Sequence, residues 1–369
     1  MRRYDLDWLR VLAFSLLIVH HVNFFFCPWD WVVKNNIVYT WMIIPMQFMS
    51  QWRLPLLFMI SGMGTYYALS KKTGGAFLKE RFKRLIIPLL FAMVFITPPQ
   101  CYIDRHEHGL FTGSYFDFWP AHAFNGFYPE GNMFWHHLWF LPYLFIFCIV
   151  ALPAFLYMRK HPGNNLVKMA QKLSSGPLSI FLLMIPMYFP QTFLYPSYPH
   201  SLLLIGDWWA LSYFFLYFFY GFVLVSAGES FFSTALRYRN PYLVASLIIT
   251  VIYLAFKLRY ENTDIAYYLE PFLKVLNTWC WLLVFFGFAK AYLSKSSRLL
   301  SYANQAVYPF YILHQTVIVL IGVYMKDWNM GFAGKYLILF TGTFVGCLIL
   351  YEFVIRRVKW LRPLFGLKS

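Results

Sequence analysis

The first residues with the means to do chemistry are Arg10 and His21, at the two ends of the apolar stretch RVLAFSLLIVHH. Eleven helical positions make about three turns plus 20°, so both side chains are expected on one face, roughly 16 Å apart. Asp7 precedes Arg10 by three positions and is expected to pair with it. Ionisable residues inside membrane helices mark functional sites, and a neutral imidazole accepts a proton. His21 is therefore the predicted catalytic residue.

A second pair of chemical interest is Arg81 and Arg84, within KERFKRLIIP. Their spacing of three places both on one helix face, and paired guanidinium groups suit phosphate recognition. The same charges also serve to anchor a helix on the cytoplasmic side of a membrane. Both interpretations stay open from the residues alone.

Four more residues are weaker candidates for supporting the reaction or binding an acceptor: Arg53, His137, Trp139 and His314. For each, an ordinary ion pair, an interfacial aromatic belt or a packed polar side chain explains the residue equally well. His20 and His21 are adjacent and diverge on a helix, and no cysteine or carboxylate pattern completes a ligand set. We predict no metal site.

The elements that must position these residues are membrane helices. The chain is 60% hydrophobic and only 12% charged, whereas soluble domains are about 25% charged. A helix needs roughly 20 apolar residues to cross a bilayer, and helices satisfy their own backbone hydrogen bonds there. We predict an all-α, polytopic membrane bundle of about ten transmembrane helices, at 8–28, 48–70, 84–99, 138–158, 177–195, 208–227, 242–258, 272–293, 303–325 and 337–355.

The basic residues predict the orientation of these helices. Of 31 lysines and arginines, 23 fall on the side of the termini and 8 on the other, which predicts that both termini are cytoplasmic. The net charge of +16 then follows from topology and from contact with anionic lipid headgroups. A nucleic-acid partner is not predicted.

A single lipid-embedded domain is predicted to span 1–369, because no hydrophilic stretch is long enough for a separate soluble domain. The longest outer loop, 100–137, is rich in aromatic residues and is expected to fold back over the bundle as a lid. Cys27 and Cys101 both fall near the outer face, where an oxidising compartment would allow them to pair. Nothing in the sequence shows that the two thiols are close.

Five motifs, taken in order, resemble those of the acyltransferase type 3 family of bacterial membrane O-acyltransferases. They are Arg10-x10-His21, RLPLLFMISG (53–62), Arg81-x-x-Arg84, HLWFLPYL (137–144) and SYANQAVYPFYILHQ (301–315). The segments RRYDLDWLR (2–10) and WRLPLLFMISG look closest to the glucan biosynthesis protein C branch, which is associated with succinylation of periplasmic glucans. The resemblance covers essentially the whole chain.

This resemblance implies a multi-pass protein of the bacterial inner membrane with acetyl-CoA or succinyl-CoA as donor and no tightly bound cofactor. Arg81 and Arg84, helped by Arg10, would meet the donor phosphates from the cytoplasm. His21 would act as general base or as acyl carrier toward a hydroxyl of a periplasmic or cell-surface glycan. The alternative is a proton-coupled transporter or flippase using His21. Transporters often show paired repeats with broken helices, and the sequence shows none, which favours the enzyme.

Overall fold

The computed structural model describes residues 2–260 and 264–367. Within these residues the regular structure is helical, and the only strand-like feature is one backbone bridge between Phe127 and Met133. The predicted all-α class is confirmed. The helices are α1 (Tyr4–Phe26), α2 (Ile43–Leu69), α3 (Gly74–Arg81), α4 (Ile87–Phe95), α5 (Pro98–Glu107), α6 (Tyr115–Ala121), α7 (Phe140–Lys160), α8 (Asn165–Ser174), α9 (Ile185–Phe189), α10 (Trp208–Ser226), α11 (Ser230–Arg237), α12 (Arg239–Tyr260), α13 (Asp264–Tyr292), α14 (Arg298–Met325) and α15 (Phe332–Ile349).

Among the described residues, seven helical segments are long and apolar enough to cross a membrane. They are Tyr4–Phe26, His136–Lys160, Trp208–Ser226, Arg239–Lys257, Ile265–Tyr292, Arg298–Met325 and Phe332–Ile355. The segments Gly74–Phe95 and Pro98–Glu107 meet at a 41° bend and together form an eighth candidate.

The prediction of ten spans is thus not confirmed, and two segments account for the difference. The helix α2 is 27 residues long but carries polar side chains near its middle, Gln51 and Arg53 among them. The segment Ser179–Leu194 is apolar but short. Pro186 and Pro190 lie within it, and 3₁₀ and π-helical turns flank α9 because proline removes backbone donors. The orientation of the termini stays a prediction.

The chain forms two compact units, each assembled from separate stretches of sequence. The first unit comprises the described residues of 1–13, 47–79 and 143–300, and the second those of 14–46, 80–142 and 301–369. The helix α1 therefore contributes its beginning to the first unit and the rest to the second. That one membrane domain spans the chain stays a prediction.

The first unit contains a close backbone contact between α2 and α10. A Cβ atom at Gly62 would lie 1.8 Å from the carbonyl oxygen of Phe218, and one at Gly221 would lie 2.0 Å from that of Met59. Only glycine fits at either position, so the two helices approach as small residues allow in membrane proteins.

The second unit is held at one end by Lys335 of α15, which is fully buried. Its ammonium group donates to Asn35 Oδ1 at 2.7 Å, Asn36 Oδ1 at 3.0 Å and the Lys326 carbonyl at 2.7 Å. These three acceptors satisfy the ammonium group, as burial of a charge requires. The lysine thus fastens the segment after α1 to the segment between α14 and α15.

The predicted lid loop has an ordered structure within the second unit. The helices α5 and α6 lie in it, and Cys101, Phe118 and Ala123 form a small buried core. Trp119 donates from its indole nitrogen to the Val94 carbonyl at 2.9 Å, which ties the loop to α4. Closure over the bundle stays a prediction. Cys27 and Cys101 are both buried, free thiols, so the disulfide is not formed.

Candidate functional site

Three histidines from distant parts of the sequence meet inside the second unit. His21 lies in α1, His137 in the 3₁₀ turn His136–Trp139 before α7, and His314 in α14. The ring centroids of His21 and His314 are 4.9 Å apart, and those of His137 and His314 are 4.8 Å apart. His137 and His314 are buried, whereas His21 is partly accessible. The predicted catalytic residue is thus the most accessible member of an imidazole cluster.

The hydrogen bonds of the cluster assign the protons on His314 and His21. His314 Nδ1 lies 2.8 Å from the Tyr311 carbonyl oxygen, which can only accept, so this nitrogen donates and Nε2 carries the lone pair. His21 Nδ1 lies 3.0 Å from His314 Nε2 and 3.0 Å from the Leu17 carbonyl oxygen. Both neighbours accept, so His21 Nδ1 carries the hydrogen. The basic nitrogen of His21 is therefore Nε2.

His137 is fixed against the same turn of α14. Its Nε2 donates to the carbonyl oxygens of Tyr311 and Ile312, at 3.0 and 3.2 Å, and the Tyr311 hydroxyl donates to the His137 carbonyl at 2.8 Å. The Tyr311 ring also contacts Phe14, with centroids 5.2 Å apart. Sequence reasoning missed Tyr311, although its spacing of three from His314 places it on the same helix face.

Arg10 forms the predicted ion pair with Asp7, at 3.3 Å between Nη1 and Oδ1, within the first unit. The other carboxylate oxygen of Asp7 accepts from Arg2 at 2.8 Å. A Cβ atom at Gly64 would lie 3.4 Å from Arg10 Nη2, so the guanidinium group rests against the backbone of α2. The role of Arg10 in donor binding stays a prediction.

Arg81 and Arg84 do not occupy equivalent surroundings. Arg81 ends α3 and is partly buried, whereas Arg84 lies in the π-helical turn Phe82–Ile86 with its side chain 53% exposed. A π-helical turn contains more residues than an α-helical turn, so three positions no longer bring two side chains to one face. Arg84 borders a cavity in the second unit, and Arg81 is not among the residues that line it.

Arg53 and Trp139, two of the weaker candidates, are both buried. The Nε and Nη1 atoms of Arg53 have no hydrogen-bond partner among the described residues of the chain. An arginine stays charged in proteins, and an unpaired buried charge is destabilising. This guanidinium group therefore has the properties of a receptor for an anion or a polarised oxygen. Trp139 ends the 3₁₀ turn that carries His137.

A second polar cluster, which sequence reasoning missed, surrounds Asp207 in the first unit. The fully buried carboxylate accepts from the Tyr143 hydroxyl at 2.6 Å and from His200 Nδ1 at 2.7 Å. Burial alone would raise the pKa of Asp207, but these two hydrogen bonds outweigh it and hold that pKa below its ordinary value. Asp207 also caps the N-terminus of α10, a role that the sequence pattern D-x-x-A does not distinguish from other loop aspartates.

No set of three or more His, Cys, Asp or Glu in the described part of the chain is arranged to hold a metal ion.

Fold and site together define a multi-pass helical membrane protein with a cluster of three imidazoles in its second unit. The chain belongs to the acyltransferase type 3 family, because the family model, described as an acyltransferase domain, matches residues 3–352. The resemblance drawn from the five motifs is confirmed. The transporter or flippase considered as an alternative gains no support from this membership.

Curated relatives are similar to part of the chain. The proteins named Glucans biosynthesis protein C from Escherichia coli (strain SMS-3-5 / SECEC) and from Shigella dysenteriae serotype 1 are each 27% identical over 186 residues. The aligned part covers 49% of this chain and 46% of either relative, so the match spans about half the length of these proteins. No solved structure matches the chain.

Proposed function

We propose that this protein transfers an acetyl or succinyl group from cytoplasmic acyl-CoA to a hydroxyl group of an extracytoplasmic glycan, with His21 as general base. The observation that carries the proposal is the proton assignment in the histidine cluster. His21 Nδ1 donates to His314 Nε2 at 3.0 Å, so His21 Nε2 holds the lone pair that takes a proton.

The proposed reaction is a direct acyl transfer. The acceptor hydroxyl oxygen attacks the thioester carbonyl carbon while its proton moves to His21 Nε2. The tetrahedral intermediate collapses, the carbon–sulfur bond breaks, and the proton passes from His21 to the departing CoA thiolate. General base catalysis of this kind is typically worth about 10²–10⁴-fold in rate.

His314 and His137 act as positioning residues in this proposal. When His21 takes a proton, its charge is stabilised because His314 Nε2 accepts from Nδ1, the role a carboxylate has in a catalytic triad. His137 holds the carbonyl of Tyr311, which also orients His314. The network reaches from His137 to Nδ1 of His21, the nitrogen opposite the reacting one, through hydrogen bonds of 2.8–3.0 Å.

The donor is proposed to bind through arginines on the cytoplasmic side. Arg84 offers an exposed guanidinium group, and Arg81 and Arg10 add positive charge near the same membrane face predicted from the basic residues. Guanidinium groups form paired, charge-assisted hydrogen bonds with phosphates. Arg53 is proposed to meet a substrate oxygen, because two nitrogens of its buried guanidinium group have no hydrogen-bond partner among the described residues.

The proposed glycan acceptor rests on the relatives, whose name refers to glucan biosynthesis. An inner-membrane location is proposed from the apolar helices and the family. A periplasmic or cell-surface glucan is therefore the first acceptor to test. The acyl group is tested by offering acetyl-CoA and succinyl-CoA in parallel.

The test is to mix purified protein, acyl-CoA and glucan, and to measure free CoA with a thiol reagent and acylated glucan by mass spectrometry. His21→Ala should lower the rate by about 10²–10⁴-fold without loss of folded protein. The matched control is the neighbouring His20→Ala, which should be much milder. A near-normal rate for His21→Ala would show that the reacting centre lies elsewhere. Detection of an acylated peptide that contains His21 would show that His21 acts as an acyl carrier and not as a general base.

A further inference from the structure

A cavity of about 500 Å³ in the second unit is bordered by three arginines, Arg84, Arg356 and Arg362. Arg84 lies in the π-helical turn before α4, Arg356 follows the π-helical turn Leu350–Ile355 after α15, and Arg362 begins the 3₁₀ turn Arg362–Phe365. Each arginine therefore comes from an irregular turn at a helix end. The cavity is within the size range of small-molecule sites.

The protein uses only part of the hydrogen-bonding capacity of these arginines. Arg356 Nη1 donates to both oxygens of Glu352, at 2.7 and 2.8 Å, and Arg362 donates through Nε and Nη2 to the Arg356 carbonyl. Arg84 makes only a 4.0 Å ion pair with Glu80 within the described residues. A guanidinium group has five donors, so each arginine keeps N–H groups for a ligand. Glu352 pairs with Arg356 and Glu80 lies 4.0 Å from Arg84, so three arginines are offset by two carboxylates and a net positive charge remains.

The remaining walls of the cavity carry groups that recognise a nucleobase. Asn304 and Gln305 bring side-chain amides, which pair with the donor and acceptor edge of adenine. Tyr308 brings a partly exposed aromatic ring, and bases stack on such rings. The Tyr308 hydroxyl donates to the Arg84 carbonyl at 2.8 Å, which holds this wall beside the first arginine.

The C-terminal segment is built to stay against this cavity. Phe365 is buried and its ring lies 5.5 Å from that of Phe91 in α4. Gly366 has a φ of 68°, and a Cβ atom there would lie 2.2 Å from Tyr308 Cε1. Both observations fix the turn that carries Arg362. Arg356 and Arg362 follow residue 352, where the match to the family ends.

We propose that Arg356 and Arg362, together with Arg84, bind the phosphates of the nucleotide end of the acyl donor, with Asn304 and Gln305 reading its adenine. This proposal rests on the proposed function and adds the part of the donor that the cavity recognises. Tyr308 and His314 lie on the same helix, separated by about 9 Å along its axis. A phosphopantetheine arm would then lead from the cavity along α14 toward the histidine cluster of the same unit.

Clustered phosphates also occur on anionic phospholipid headgroups, which three arginines would bind equally well. The amides and the Tyr308 ring favour the nucleotide, because a headgroup has no base to recognise. The experiment therefore needs arms that separate these two sources.

The test is calorimetric titration of CoA, 3′-dephospho-CoA and 4′-phosphopantetheine into the full-length protein. The unmodified protein should bind CoA most tightly and lose affinity as each phosphate or the nucleotide is removed. Arg356→Gln and Arg362→Gln should each weaken CoA binding by about 10- to 150-fold, as expected for one charge-assisted hydrogen bond. Binding of 4′-phosphopantetheine should change little. The matched control is Arg357→Gln, which removes an adjacent charge that does not line the cavity.

Equal CoA affinity in Arg362→Gln, Arg356→Gln and Arg357→Gln would overturn the proposal. Equal affinity of the unmodified protein for CoA and 4′-phosphopantetheine would overturn it as well, and this arm does not depend on how the variants fold. Loss of co-purified phosphatidylglycerol in the variants, with CoA affinity kept, would assign the cavity to lipid. The proposed function fails separately, if the unmodified protein binds no CoA compound and acylates no glucan.

Discussion

At the scale of single residues, the role proposed for His21 depends on which of its two ring nitrogens carries the hydrogen. The Leu17 carbonyl and His314 both accept from Nδ1, so the lone pair is confined to Nε2. A histidine without these partners would divide its hydrogen between two nitrogens, and only one of the two forms would be reactive.

Replacement of His314 tests this orientation. His314→Phe removes the acceptor for His21 Nδ1 and should lower kcat by about 10- to 150-fold, the effect of one hydrogen bond to a charged group. His314→Gln should recover part of the loss, because its amide oxygen is able to accept. KM for acyl-CoA should stay unchanged in both. Steady-state rates of CoA release give these values, and equal rates for the two variants would contradict the orienting role.

Arg53 offers a second test at this scale, in which stability and activity are expected to move apart. Its buried guanidinium group has two nitrogens without a protein partner among the described residues. Arg53→Met removes an uncompensated buried charge, so the thermal unfolding temperature in detergent should stay equal or rise. Acyl transfer should fall by tenfold or more if Arg53 meets a substrate oxygen, at about 1.4 kcal/mol per factor of ten. Normal activity with lower stability would instead identify a structural residue.

At the scale of helices, a polar network joins three elements of the first unit. Asn277 of α13 donates to Gln51 Oε1 of α2 at 2.6 Å and accepts from Thr250 of α12 at 2.9 Å. All three side chains are buried, and Trp281 extends the network by donating to Thr250 Oγ1 at 2.9 Å. Apolar helix surfaces alone permit several registers between neighbouring helices. A polar network of this kind selects one of them.

Breaking this network should destabilise the protein more than any exposed amide change. Asn277→Leu leaves the buried Gln51 Oε1 without its donor, and a buried unsatisfied group costs about 1–3 kcal/mol. Thr250 keeps its hydrogen bond to the Ser246 carbonyl at 2.7 Å. We expect a lower unfolding temperature in a thermal scan monitored by tryptophan fluorescence. The matched control is Gln171→Leu at an exposed position of α8, which should shift the transition little. Similar transitions for the two variants would show that the network does not stabilise the unit.

At the scale of the whole molecule, the prediction that remains to be measured is sidedness. The distribution of 23 basic residues on one side and 8 on the other predicts that both termini are cytoplasmic. A phosphatase reporter that is active only in the periplasm should be inactive at the C-terminus and active after Gly113. The reverse result would place the donor arginines on the wrong side for cytoplasmic acyl-CoA.

Sequence alone was sufficient for the properties that depend on local composition. Apolar runs predict helices in lipid because each helix satisfies its own backbone, and this identified the all-α class and most of the spans. Ionisable residues inside those runs are rare, so His21, His314 and Arg53 were identifiable by type and place. The i, i+3 spacing of Asp7 and Arg10 predicted an ion pair that the structure contains.

Only the tertiary structure decided which of these residues meet. His21 and His314 are 293 positions apart, and their hydrogen bond depends on how α1 and α14 pack, which no local pattern encodes. The π-helical turn at Phe82–Ile86 changes the register between Arg81 and Arg84, an irregularity that hydropathy does not reveal. In the sequence, Arg356 and Arg362 are two of the 23 basic residues on the side of the termini, and nothing distinguishes them from the others. The turn closed by Gly366 brings them to Arg84, because its left-handed backbone and its contact with Tyr308 direct the chain back onto α4 and α14.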